Sequence, residues 1–222
     1  MAGVYITPDG KKILLTNQRC ASTSISRVAA LDRPALLLEK SNSNFYDKSN
    51  SFHEEKFFSY LNPDTKIYII VRNPYERLMS FHRMVNEKIE DPNATWNTVI
   101  NDFGKERISF SDFVKKIKDG YHDPHHMTPQ SNIYNAYKSR APNNKFSIIK
   151  MEENLEDSFK ATFLSHESMP TLCHLNASEP ERVSISISDK KFIYKKYEED
   201  FKNFNYNKYE NTWERIRGLF PF

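Results

Sequence analysis

Two short segments of this chain carry the residue types that bind phosphate-like anions. The first is Ile69-Ile70-Val71-Arg72-Asn73-Pro74-Tyr75-Glu76-Arg77-Leu78-Met79-Ser80. An apolar run ends in an arginine, turns at Asn-Pro, and opens a helical pattern with Arg77 and Ser80 on its first turns. A strand that hands an arginine and a hydroxyl to a helix N-terminus makes an anion pocket, because guanidinium, hydroxyl and unpaired backbone N–H groups all favour negative charge there. The second segment is Thr16-Asn17-Gln18-Arg19-Cys20-Ala21-Ser22-Thr23-Ser24, where the apolar run Ile13-Leu14-Leu15 breaks into a polar loop before another helical pattern. Two such sites in 222 residues point to a ligand with phosphate-like groups at both ends.

The elements that must position these loops follow from the hydrophobic pattern. Lys12 to Thr16 and Lys66 to Val71 have the apolar character of buried parallel strands, and Phe146 to Met151 is a third. A further short apolar run, Ala35 to Glu39, is expected as another strand. Helices are expected over Thr23–Leu31, Phe52–Leu61, Tyr75–Ile89, Ser111–Lys118 with Ser109 or Ser111 as its cap, Glu153–Leu164, Ser188–Phe201 and Lys208–Arg217. Asp91 to Arg107 is polar and expected to be an exposed excursion. Strands alternating with helices predict an α/β fold with a parallel sheet, and 222 residues suffice for one domain, residues 1–222. In such sheets ligands bind at the carboxyl ends of strands, where both anion loops fall.

The pair of loops resembles the two nucleotide motifs of the sulfotransferases that use 3′-phosphoadenosine 5′-phosphosulfate (PAPS). In that superfamily the second motif has the form Arg-(Asp/Asn)-Pro-x-x-Arg-x-x-Ser, and Arg72, Asn73, Pro74, Arg77 and Ser80 complete it. The first motif is close: Ala21-Ser22-Thr23-Ser24 resembles the form in the heparan and uronyl 2-O-sulfotransferase branch, whereas Gln18 and Arg19 stand where the family has Pro-Lys. His126-Met127-Thr128-Pro129-Gln130, Phe146 to Glu152 and Tyr197-Glu198-Glu199-Asp200-Phe201 resemble weaker landmarks of the membrane-type carbohydrate sulfotransferases, in the right order. The resemblance implies a P-loop-like three-layer sandwich, a central parallel sheet flanked by helices. It also implies in-line transfer of a sulfuryl group from PAPS to a hydroxyl of a carbohydrate acceptor (glycan, polysaccharide or glycolipid), with adenosine 3′,5′-bisphosphate leaving.

By that resemblance the residues Arg19, Cys20, Ala21, Ser22, Thr23 and Ser24 cradle the 5′-phosphosulfate. Backbone N–H groups and the three hydroxyls would be the donors, with Cys20 itself a small packing residue. Arg19 takes the place of the family lysine and is expected to clamp the leaving phosphate electrostatically, since a guanidinium holds its proton too tightly to donate it. Arg72 and Ser80 would hold the 3′-phosphate, while Arg77 is equally a phosphate contact or a structural ion pair. His53, between the two motifs, occupies the region where the 2-O branch has a histidine that looks like the general base, and imidazole has the right pKa range for that work. His126 is the second candidate, as a base or a substrate contact on an acceptor-side loop. Basic and aromatic residues from Tyr121 to Arg140 either line an acceptor groove or form ordinary solvated surface. No metal is expected: His122, His125 and His126 lack a convincing set of partner ligands, and the reaction type needs none.

Other function classes fit less well. A P-loop kinase needs G-x-x-x-x-G-K-(S/T), and no glycine occurs between Gly10 and Gly104. A formal charge of +3 is too mild for a nucleic-acid module. A sulfotransferase-like scaffold that binds a nucleotide or glycan without turnover remains the alternative, on the strength of Arg19 in place of lysine. Cys20 and Cys173 form neither a metal spacing nor a disulfide framework, residues Met1 to Lys12 lack a signal-peptide core, and no apolar run reaches the length of a membrane span. A cytoplasmic member from a microbe or virus is therefore expected. That departs from the animal carbohydrate enzymes, which look like anchored Golgi proteins.

Overall fold

Four short runs of alternating or continuous apolar residues build one sheet: β1 (Gly3–Ile6), β2 (Lys12–Thr16), β3 (Lys66–Val71) and β4 (Phe146–Lys150). The protein is represented by a computed structural model that describes residues 3–7, 9–17, 19–21, 25, 61–90, 102–104, 106–153, 155–163 and 184–208. The strands lie in the order β1-β2-β3-β4. β2, β3 and β4 run parallel, with Leu15 beside Ile69 and Ile69 beside Ile148, as the buried apolar runs predict. β1 is antiparallel to β2, so the sheet is mixed where an all-parallel sheet is expected. The reason is local. A tight loop closed by the amide of Gly10 on the Thr7 carbonyl (2.8 Å) folds the chain back on itself, and Gly10 takes a left-handed φ of 66°.

The chain divides into two compact units, one of Met1–Arg72 with Thr128–Asn176 and the other of Asn73–Met127 with Ala177–Phe222. The first holds the sheet. Tyr5, Leu14, Tyr68, Ile70 and Ile149 share one face and pack on Phe159 and Phe163 of a helix at Leu155–Phe163. Phe146 lies on the opposite face and meets Tyr134 of a helix at Gln130–Arg140 edge-on at 5.6 Å. With a helix against each face, this unit is an α/β sandwich of the P-loop-like kind, with a central mixed sheet.

The second unit is helical: α1 (Pro74–Glu90), α2 (Phe110–Lys118), α3 (Pro124–Met127), then, after α4 (Gln130–Arg140) and α5 (Leu155–Phe163) of the first unit, α6 (Ile187–Lys196) and α7 (Glu198–Asn203). Asn73 starts α1 by accepting the Tyr75 amide on its side chain at 2.9 Å and the Arg77 amide on its carbonyl at 2.8 Å, and Pro74 fills the first helical position where no donor is needed. Leu78, Phe81, His82 and Val85 of α1 are buried, but so are Glu76, Arg77, Ser80 and Asn86. Phe81 packs edge-on against Phe113 at 5.4 Å, each such ring contributing about 1.5–3 kcal/mol by burial. Phe103, inside the stretch from Asp91 to Arg107, is part of this core with 5 % exposure, so that stretch is not wholly an exposed excursion. Ser109 caps α2, as expected, through the Asp112 amide. The predicted helix over Ser188–Phe201 is broken at Tyr197, and Lys208 is not helical. The expected helix over 23–31 apart from Ile25, the strand at 35–39, the helix over 52–61 apart from Leu61, which is not helical, and the stretch beyond 208 lie outside the described residues.

Candidate active site

The carboxyl end of β2 enters a turn whose backbone is under strain. Thr16 and Asn17 are fully buried, and the Cys20 amide donates to the Asn17 carbonyl at 3.2 Å to close the turn. Arg19 has φ 63° and Ala21 φ 55°, both left-handed, while Cys20 between them is not. A left-handed residue with a Cβ costs about 1–2 kcal/mol, so two within three residues is an outlier that suggests a function. Alternation of hand along the backbone is a geometry that can turn N–H groups toward one concavity, as in anion-binding nests. The Ile25 amide then donates to the Ala21 carbonyl at 3.0 Å, the spacing of a helix.

The carboxyl end of β3 lies in the same unit. Arg72, half-buried, donates from Nη1 to the Arg19 carbonyl at 3.3 Å. Its backbone is held by Gln130, which is wholly buried as the first residue of α4: the Arg72 amide donates to Oε1 at 2.9 Å, and Nε2 donates to the Arg72 carbonyl at 2.8 Å. The Cys20 thiol also donates to Oε1, at 3.1 Å. Cys20 thus does more than fill space, and a glutamine grouped by the sequence with an acceptor-side loop belongs to this cluster. The only sequence signal for it is its place directly after Pro129, which fixes where α4 begins. Arg19, Cys20, Ala21 and Arg72, four residues expected at the nucleotide site, therefore come together in the first unit. Ser22, Thr23, Ser24 and His53 lie outside the described residues.

Three further residues singled out by the sequence belong to the second unit. Ser80 and Arg77 are buried on α1, with 6 % and 3 % exposure. Arg77 lies near Tyr197: burial pushes that phenol well above its usual range, against which the Arg77 charge works downward. His126 is buried on α3. Its Nδ1 meets Asp123 Oδ2 at 3.0 Å, and its ring stacks on Phe81 at a centroid distance of 4.6 Å. Burial alone would raise the Asp123 carboxyl, but the hydrogen bond and charge of His126 and the amides of His126 and His125 outweigh it and hold it below the usual carboxylate range. Among the described residues no three His, Cys, Asp or Glu side chains gather as a metal site. Nor is any described helix long and apolar enough to cross a membrane.

Residues 4–207 match the sulfotransferase family. The chain belongs to that family. The match covers both loop segments, the four strands apart from Gly3 and the seven helices named above, so this sulfotransferase carries its family's fold and its general reaction, sulfuryl transfer. No curated protein and no solved structure matches the chain.

Proposed function

We propose that this sulfotransferase takes its sulfuryl group from PAPS and delivers it to a hydroxyl of a carbohydrate acceptor. The observation that carries the donor half is the bond from the Arg72 guanidinium to the Arg19 carbonyl, since it joins the head of one anion motif to the strained turn of the other. The residues fit a nucleotide anionic at both ends. The N–H groups of Arg19 and Ala21, with the hydroxyls of Ser22, Thr23 and Ser24 by sequence motif, would hold the 5′-phosphosulfate, while the Cys20 amide closes the turn on the Asn17 carbonyl. The Arg72 guanidinium would hold the 3′-phosphate, with Ser80 assigned to the same phosphate by the motif. PAPS would supply an already activated sulfuryl group.

The chain's own residues then have three tasks. The turn and Arg19 neutralise charge on the phosphate side as it builds, an effect that is large where water is excluded. Arg72 fixes the far end and so orients the near one. A histidine takes the acceptor's proton. His53 is the first candidate by position in the sequence. His126 is the second, and its support is the Asp123 carboxylate at 3.0 Å, which fixes the orientation of the ring.

A thermal-shift titration tests the donor assignment. A ligand present at about a hundred times its Kd stabilises the native state by about 2.7 kcal/mol, which in a chain of this size raises Tm by roughly 5–10 °C. Adenosine 3′,5′-bisphosphate should do so, while ADP and ATP with Mg²⁺ should not. A shift with ATP and Mg²⁺ alone would overturn the donor assignment. Transfer of label from PAPS to a panel of glycans, with phenols as controls, tests the acceptor class: labelled glycan is expected, and labelled phenol alone would refute it.

A further inference from the structure

We propose that Gln130 is a positioning residue for nucleotide recognition, acting through Arg72 to set the preference for a 3′-phosphate. The proposal rests on the assignment of Arg72 to that phosphate. β3 ends at Val71, so the Arg72 amide and carbonyl lie beyond the last backbone pair of the sheet. Unpaired, these two groups would leave the residue free to rotate about its backbone, and the guanidinium with it. The Gln130 carboxamide supplies what a neighbouring strand would have supplied, one acceptor at 2.9 Å and one donor at 2.8 Å. A primary amide offers both in one plane and at the right spacing without depending on pH, as a carboxyl group does.

The rest of the surroundings make this clamp specific. Gln130 has no exposure to solvent, so a partner it loses cannot be replaced by bulk water. It is fixed at the start of α4 behind Pro129, whose ψ of 139° breaks the preceding chain out of helical geometry. Its Oε1 is shared with the Cys20 thiol at 3.1 Å, next to the left-handed Arg19 and Ala21. Arg72 returns to the same turn through the 3.3 Å bond to the Arg19 carbonyl. Gln130 therefore holds the backbone of one anion-binding segment and touches the other. Through Arg72 it acts on the 3′ end of the nucleotide, and through Cys20 on the 5′ end.

These two routes separate by choice of ligand. AMP and adenosine 3′,5′-bisphosphate share the 5′-phosphate, so any effect through Cys20 falls on both. Only the bisphosphate carries the 3′-phosphate, so loss of the Arg72 contact to that phosphate falls on it alone, while any loosening of the Arg19 turn through Arg72 falls on both and cancels in their ratio. The ratio of the two Kd values, measured calorimetrically on the same preparation, is insensitive to the fraction of folded protein. The wild type should prefer the bisphosphate, and Gln130→Met, which keeps the side-chain length without the hydrogen bonds, should lose about tenfold or more of that preference. Gln130→Glu guards against a folding failure of the first variant. It keeps acceptors for the Arg72 amide and the thiol, loses the donor, and adds a negative charge beside Arg72, so the same ratio should fall. A ratio equal to that of the wild type in whichever variant folds, even with both affinities lowered, would make Gln130 merely structural and overturn the proposal. A wild type with no preference for the 3′-phosphate would overturn the donor assignment itself, and this proposal with it.

Discussion

Asp123→Asn separates the charge of a buried carboxylate from its shape. In the wild type one carboxylate oxygen accepts the amides of His125 and His126, at 2.8 and 3.1 Å, and the other meets His126 Nδ1 at 3.0 Å. Asparagine can place its carbonyl where the first oxygen was and keep both backbone bonds. Its NH₂ then faces His126 Nδ1, so the imidazole must accept there and carry its proton on Nε2. Bonds to a charged acceptor are worth about 1.5–3 kcal/mol and neutral ones about 0.5–1.5 kcal/mol, so losing the charge should cost about 2 kcal/mol in all. For a chain of this length that is a fall in Tm of about 4–8 °C at pH 7. The sign of the pH dependence follows from the lowered carboxyl. A group with its folded pKa depressed stabilises the fold above the usual carboxylate range and loses that contribution as pH falls through its own value. Asparagine has no such titration, so the gap in Tm between wild type and variant should narrow once the pH drops below about 4. If His126 is the base, the variant also starts with Nε2 already protonated, and kcat should fall by about 10²–10⁴ with donor KM unchanged. Differential scanning calorimetry across pH and a transfer assay read the two effects separately. An unchanged Tm at pH 7, or a gap that stays constant on acidification, would refute the account of the carboxylate. A normal kcat in a destabilised variant would remove His126 from proton transfer and leave His53.

Arg72→Ala removes the guanidinium but not the backbone groups that Gln130 holds. It should abolish binding of adenosine 3′,5′-bisphosphate in calorimetry while shifting Tm by only a few degrees; retained affinity would remove the 3′-phosphate assignment. His53→Ala should leave bisphosphate affinity near that of the wild type and stop transfer, and persisting transfer would pass the role of base to His126 or a carboxylate. Asn17 is fully buried, neither side-chain amide atom has a hydrogen-bond partner among the described residues, and an unmet buried polar group costs about 1–3 kcal/mol. Asn17→Leu, of similar size, should therefore raise Tm by a few degrees, and a fall would show that the carboxamide has a structural partner.

Where pattern and packing agree, the sequence was informative. β2 and β3 have the bounds their apolar runs predict, because strands buried on both faces need continuous apolar residues. Asn73-Pro74 and Ser109 announced the starts of α1 and α2 through side-chain and backbone chemistry that is purely local. Elements that depend on distant partners were not legible. β1 is a strand only because a hairpin lays it on β2. α4 has four buried residues among polar ones and no side-chain cap, so neither period nor capping marks it. The turn was legible as a polar loop closing a strand but not as a pair of left-handed residues, since neither Arg19 nor Ala21 is a residue type that favours that region. Gln130 was placed with the wrong neighbours because its partners are 58 and 110 residues away in the chain.

Left-handed backbone at Arg19 and Ala21 has a consequence for any attempt to improve this protein in the laboratory. Glycine at either position would relax the turn by about 1 kcal/mol. A library screened only for heat resistance or soluble yield would therefore enrich glycine at 19 and 21, deleting the guanidinium at 19 and loosening the loop. Clones that look best by those criteria would be the ones in which the turn proposed to hold the nucleotide is being erased. Selection on this scaffold has to include a nucleotide-binding step from its first round.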